Sequence, residues 1–212
     1  MNNRWSCLPE ALETRSMLAY GELISSFGRS QYSSLFLEKL RALNIGALYQ
    51  SKLHGRDHIE RVMLLASLLA YHLLLDREDT DLLLDACSYH DVGRINDKLD
   101  DDHGRRSGKK IQQITGRPEG EDVRILRAMV EAHSIHDKAM DGTIRKHNVL
   151  DFPRAKQLSL VLKDADGLDR VRLQGPFLDP RYLRFGYSKT LIPFSKQVYA
   201  EERRLSSLQA TQ

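Results

Sequence analysis

Wherever this chain is apolar, its apolar residues recur at three- and four-residue steps, and over no useful length do they alternate. That period turns one stripe of a helix inward, whereas a half-buried strand needs a period of two, so the pattern predicts an all-α helical bundle. Leu12, Leu18, Leu23, Ile24 and Phe27 mark a packing helix over 9–27 that Gly28 stops, and Leu35, Leu37, Leu40 and Leu43 mark a second over 34–43 before Gly46. The stretch from Leu53 opens a long helix to about Leu75 with Val62, Leu65 and Leu69 inward. Asp79 or Thr80 is expected to cap a helix that runs through Leu82, Leu83, Ala86 and Cys87 to His90. Further helices are expected to open near His103 and at Glu121-Asp122, and another has Pro153 in its first turn and runs to Leu168. A polar linker containing Gly142 precedes Pro153. An irregular wrapping loop follows Arg172, and a last helix spans about 195–208.

With 212 residues, 41% of them hydrophobic, the chain can bury one good core and is expected to form a single domain. Cys7 and Cys87 are far apart, which excludes a disulfide framework or a zinc ribbon and makes a reducing cytoplasm the natural compartment. No secretory pattern opens the sequence and no apolar run approaches the ~18 residues of a membrane span, so no membrane role is expected. A net charge of +3 without a clustered basic recognition helix argues against nucleic acid as a partner. The acidic run from Asn96 to Asp102 lacks the central glycine and distant glutamate of a calcium loop and reads as solvated.

What needs explaining is the polar content of the inward stripes. His90 shares a face with Leu83 and Cys87 and is followed by Asp91, with Gly93 releasing the chain. His58 lies one turn before Val62, His133 continues the Val123, Leu126, Val130 stripe, and Asp166 lies one turn beyond Leu162 and two beyond Leu158. A buried imidazole alone is more often a hydrogen-bonded core residue than a ligand, and a buried carboxylate without a cation is expensive. Several such groups from separate helices point instead to a shared ion. A donor set of nitrogen and oxygen only suits Mn, Fe, Ni, Co or Mg better than a structural zinc. Four cations, Arg105, Arg106, Lys109 and Lys110, surround the helix start at His103 and are candidates to hold phosphate groups of a substrate.

At His58-Ile59-Glu60-Arg61-Val62, His90-Asp91-Val92-Gly93-Arg94 and Lys163-Asp164-Ala165-Asp166-Gly167-Leu168-Asp169-Arg170-Val171-Arg172 the chain resembles the HD-domain superfamily of metal-dependent phosphohydrolases. The resemblance implies a core over about 50–172, with N-terminal packing helices in 1–46 and a C-terminal loop and helix in 173–212. It implies metal ligation by His58, His90, Asp91 and Asp166, with Asp166 preferred to Asp164. A second ion would be held by the added histidines His103 and His133. Hydrolysis of a phosphate ester or anhydride, with a nucleotide as the expected substrate, would use water whose pKa a divalent ion lowers from ~15.7 towards ~7. Asp91 would orient that water, His54 and His103 are the candidates to protonate the leaving group, and Arg61 and Arg94 would hold neighbouring carboxylates. Three other readings stay open: an HD-type sensing or interaction module without catalysis, a di-iron oxygenase, and, behind both, a DNA-binding helical protein. The resemblance also admits a homodimer.

Overall fold

The computed structural model describes residues 20–173 and 175–209; among these the structure is 73% helical, with ten α-helices and no strand. In chain order they are α1 (Gly21–Gly28), α2 (Gln31–Ala42), α3 (Arg56–Leu73), α4 (Arg77–Tyr89), α5 (His103–Thr115), α6 (Glu121–His133), α7 (Asp137–Lys146), α8 (Phe152–Leu168), α9 (Gly186–Thr190) and α10 (Ile192–Gln209). Most of the helix expected over 9–27 lies outside the described residues; its described end is α1, which closes at Gly28 as anticipated.

The side chains that start these helices explain where the boundaries shift from expectation. Asp76, rather than Asp79 or Thr80, caps α4: its carboxylate accepts from the Asp79 backbone N–H at 2.7 Å, so the helix begins earlier. Asp151 does the same for α8, accepting from Arg154 N–H at 3.1 Å, and Pro153 sits in the first turn where its missing N–H is harmless. The expected linker before Pro153 contains α7. Its buried stripe is only Met140, Thr143 and Ile144 among charged neighbours, too sparse to stand out as a period, and the His136 ring nitrogen accepts from Lys138 N–H to start it.

Helix α3 is buried along all of His58–Ala70 and packs against α2, α4 and α8; α6 packs against α5, α7 and α8. The buried apolar side chains join in one cluster, with Leu64, Leu65, Leu68, Leu82, Leu83 and Phe194 essentially inaccessible. A helix apolar on every side, as α3 is, can only sit at the centre of a bundle. Its N-terminal end is where the buried polar side chains gather.

The segment after α8 is the wrapping structure expected, but it is ordered by one carboxylate. Asp164 is fully buried and accepts from the backbone N–H groups of Arg184 (2.9 and 3.0 Å) and Phe185 (3.0 Å) and from the Arg184 guanidinium (3.1 Å). Removing that acceptor strands donors in an apolar setting. Asp164→Ala is therefore expected to cost roughly 3 kcal/mol in urea unfolding and to raise protease cleavage around 175–185. A loss within the ~0.5 kcal/mol typical of surface substitutions would show that the anchor is unimportant.

Candidate metal centre

Five helices deliver the site. His58 is the third residue of α3, His90 caps the C-terminal end of α4 with Asp91 beside it, His103 opens α5, His133 closes α6, and Asp166 lies in the last turn of α8. His58, His90, Asp91, His103 and His133 are buried, while the Asp166 side chain is 24% exposed and so forms the open side. Close approach of α5 depends on two glycines. A Cβ on Gly93 would stand 2.4 Å from the His103 carbonyl oxygen, and one on Gly104 2.7 Å from the Val130 carbonyl oxygen. The Gly93 N–H also donates to Ser107 Oγ at 2.7 Å, which docks the turn after Asp91 on α5.

The donor atoms converge. His58 Nε2 and His90 Nε2 are 3.1 Å apart, and His103 Nε2 and His133 Nε2 are 2.9 Å apart. Asp91 lies between the pairs: Oδ2 is 3.6 Å from both His58 and His90 Nε2, and Oδ1 is 3.0 Å from His103 Nε2 and 3.7 Å from His133 Nε2. Asp166 Oδ1 closes the first group at 3.5 Å from His58 Nε2 and 4.0 Å from His90 Nε2. Both triads, His58/His90/Asp166 and His90/Asp91/His133, have their ligand atoms within 4.8 Å of one another.

The state of the imidazoles follows from their other nitrogen. His90 Nδ1 is 2.8 Å from the Cys87 carbonyl oxygen, His133 Nδ1 is 2.5 Å from that of Val130, and His103 Nδ1 bonds that of Asp100. A carbonyl only accepts, so each Nδ1 carries a proton, and the lone pair of the neutral form of each ring is at Nε2. His58 Nδ1 faces the Asp169 carboxylate at 2.7 Å and is fixed the same way. Facing lone pairs about 3 Å apart repel, yet ligand atoms bonded to one ion at ~2.0–2.2 Å must stand about that far from each other. Asp91 Oδ1 makes the same point: it is buried and lacks a hydrogen bond, although Arg94 Nε stands 2.9 Å away. The residues present thus fit a divalent cation, which would satisfy both facing pairs at once.

Electrostatics favours the neutral form of two of these rings. Burial, with the Arg172 charge, pushes His58 down to about 4, and burial likewise pushes His133 down to about 4. Burial raises the cost of charge on Asp91 and Asp166, but the imidazoles around Asp91, and His58, His90 and Arg172 around Asp166, hold both carboxyls well below the usual range. His58 and His133 are thus neutral, and Asp91 and Asp166 anionic, near neutral pH.

Behind His58 stands a residue to which the sequence reading assigned no part. Asp169 is fully buried and receives Arg61 through two hydrogen bonds, Nε to Oδ1 at 2.6 Å and Nη2 to Oδ2 at 3.0 Å, in addition to the His58 N–H. Its position three residues after Asp166, one helical step round, was the available signal. Arg61 thus holds a neighbouring carboxylate as expected, and Arg94 lies against Asp91. Lys163 donates to the carbonyls of Ala132 (3.0 Å), His133 (3.4 Å) and Ile135 (2.5 Å), so it caps the end of α6 that presents His133.

The remaining expected residues fall around this centre. His54 packs its ring on His58, with centroids 5.9 Å apart, and its Nδ1 pairs with Asp97 at 2.9 Å. Burial lowers its pKa, partly offset by Asp97. Of the four cations at the start of α5, Arg105 is bound by Asp102, Arg106 by Asp100, Asp102 and the Gly93 carbonyl, and Lys110 reaches the Val92 carbonyl at 3.1 Å; Lys109 is exposed. They do not line the cavity of about 410 Å³ beside Asp166, whose cations are Lys163, Arg170 and Arg184 and whose aromatic walls are Phe177 and Tyr182. Among the described residues no helix is long and apolar enough to cross a membrane.

A family model described as HD domain matches residues 55–171, more than half of the chain, and the chain belongs to that family. HD domains form a superfamily of metal-dependent phosphohydrolases, and this chain has the His/Asp groups that could hold the ion. No curated protein and no solved structure matches the chain significantly.

Two outcomes test the centre directly. Asp166→Ala should abolish or sharply weaken divalent-metal binding in calorimetry, while Asp164→Ala, which removes a carboxylate turned towards residues 184–185, should weaken it less; the reverse order would misplace the ligand by two residues. In metal-free protein, ring-proton NMR should show His58 and His133 neutral until about pH 4. Since the unfolded chain takes up these protons near pH 6.5, both groups then favour the native state above 6.5 and lose that contribution as pH falls through 4. NMR midpoints near 6.5 would contradict the assignment.

Proposed function

We propose that this protein hydrolyses a phosphate ester or anhydride, with a nucleotide as the expected substrate, at a centre of one or two divalent ions. The observation that carries the reading is the convergence of four imidazole lone pairs on the two oxygens of Asp91. His58, His90, Asp91 and Asp166 would hold the first ion, drawn from Mn, Fe, Ni, Co or Mg. Asp91, through its other oxygen, would hold a second together with His103 and His133. Bound there, a divalent ion supplies Lewis acidity towards a phosphoryl oxygen and makes water acidic enough to attack at neutral pH.

The chain's own groups do the rest. Asp91 faces both halves of the centre and orients the attacking water. His103 turns Nε2 to His133, which suits a ligand better than a proton donor. His54 is held by Asp97, which supports its imidazolium, and so is the better donor to the leaving oxygen. Arg170 is exposed in the wall of the cavity beside Asp166 and pairs with no carboxylate among the described residues, so it is placed to neutralise a phosphate. Arg105, Arg106, Lys109 and Lys110 would act only further out. In this reading the described residues work as one domain, since Asp164 and the Ser195 hydroxyl, which donates to the Leu168 carbonyl at 2.9 Å, tie the C-terminal segment to α8.

Phosphate release from nucleotides and simple phosphate esters should require divalent metal, vanish with EDTA and return with Mn or another ion of the set. Asp91→Ala should lower turnover by at least ~100-fold, more than typical losses from groups behind the ligands, with helicity preserved. Loss of metal with unchanged turnover would defeat the catalytic assignment, and loss of metal with wholesale unfolding would make the centre structural.

A further inference from the structure

A second cavity of about 1050 Å³ lies between residues 45–57, the start of α3 and α10, on the far side of Phe177 from the cavity beside Asp166. Lys52, Arg56, Arg61, Arg172 and Arg203 line it, against the carboxylates of Asp57 and Glu202. The floor is internally satisfied. Arg61 is taken by Asp169 and Glu202, and Arg172 donates to the Leu53 carbonyl at 2.8 Å and the Asp169 carbonyl at 3.1 Å. The rim is not: Lys52 and Arg203 are exposed, and among the described residues no carboxylate pairs with either.

The positive end of α3 adds to this surplus. Its N-cap is Gly55, which offers no side-chain acceptor to the first turn, and Arg56 and Asp57 of that turn line the groove. Cations lining one concave surface, two of them without a carboxylate partner, attract an anion, and the walls focus the field. The groove is far roomier than a single carboxylate or phosphate requires, and Tyr199 and Ser206 also line it.

We propose that this groove is a binding site for a small polyphosphate, distinct from the substrate cavity of the metal centre. The ligand's terminal phosphates lie between Lys52 and Arg203, and its inner part meets the first turn of α3. The floor is also the back wall of the centre, since Arg61 and Arg172 both contact Asp169 and Asp169 holds His58.

The test is isothermal calorimetry of inorganic tripolyphosphate with the full chain carrying Asp91→Ala, so that chelation at the metal centre does not contribute and the phosphohydrolase reading is not at stake. That protein should bind tripolyphosphate at low ionic strength, and adding Lys52→Glu and Arg203→Glu should weaken binding at least tenfold with unchanged thermal melting. Lys52→Ala with Arg203→Ala should give a smaller loss, which guards against a misfolded charge-reversal variant. No binding to the Asp91→Ala chain, or equal affinity before and after charge reversal, would overturn the proposal.

Discussion

Three buried imidazoles in this protein are locked by one local device, and the site depends on it. His90, His103 and His133 each turn Nδ1–H onto the carbonyl oxygen three residues earlier, two at the C-terminal end of a helix and one at the start of another. The bond costs no side chain from elsewhere in the core. It also decides the tautomer, and with it that Nε2 is a lone pair pointing away from its own helix. Because each ring is satisfied by its own backbone, tertiary packing has only to bring the helices together. That packing is where Gly93 and Gly104 enter, since ordinary side chains there would hold α5 off the His90-Asp91 turn and off α6.

His58 is fixed differently, and the difference reaches further into the fold. His58, the third residue of α3, gives its Nδ1–H to Asp169 from the 3-10 turn that follows α8 rather than to a carbonyl of its own backbone. A fully buried carboxylate needs more than one imidazole to offset its desolvation. Burial would raise the pKa of Asp169, but the Arg61 fork and the His58 hydrogen bond hold it below the ordinary value. Arg61 in turn is paired with Glu202 of α10. Burial pushes the Glu202 carboxyl up to about 7 despite Arg61, so the outer end of this chain of contacts is its electrostatically weakest link.

How much of this was legible in the sequence depends on whether a feature is periodic or contextual. The stripes of α3, α4, α6 and α8 are long and apolar, so their existence, and the inward placement of His58, His90, His133 and Asp166, could be read directly. Helix α7 could not, because three buried residues among charges do not make a stripe. Asp164 and Asp166 show the limit most clearly. Two residues apart on a helix, they point about 200° from each other, so only one can meet His58; the Leu158, Leu162 stripe indicated Asp166, but nothing local showed that Asp164 would bind the backbone of Arg184 and Phe185. The basic cluster in the first turns of α5 shows a second limit, because Arg105 and Arg106, conspicuous as a run, are bound by their acidic neighbours Asp100 and Asp102.

The distribution of arginines explains why the buried carboxylates still call for an ion. Asp169 is offset by Arg61 and Arg172, which approach it from the side away from the imidazole lone pairs. Arg94 approaches only one oxygen of Asp91 and completes no hydrogen bond with it. Asp166 has no lysine or arginine within pairing distance among the described residues; its nearest partners are the Nε2 atoms of His58 and His90. The His58 ring does not supply that cation, because protonating it at Nε2 is opposed by burial, which holds it near 4. Nor can a lysine enter, since Lys163, the nearest along α8, is spent on the carbonyls that end α6. These groups bound a space of nitrogen and oxygen donors a few ångströms apart, and a divalent metal ion is a cation that such a space could hold.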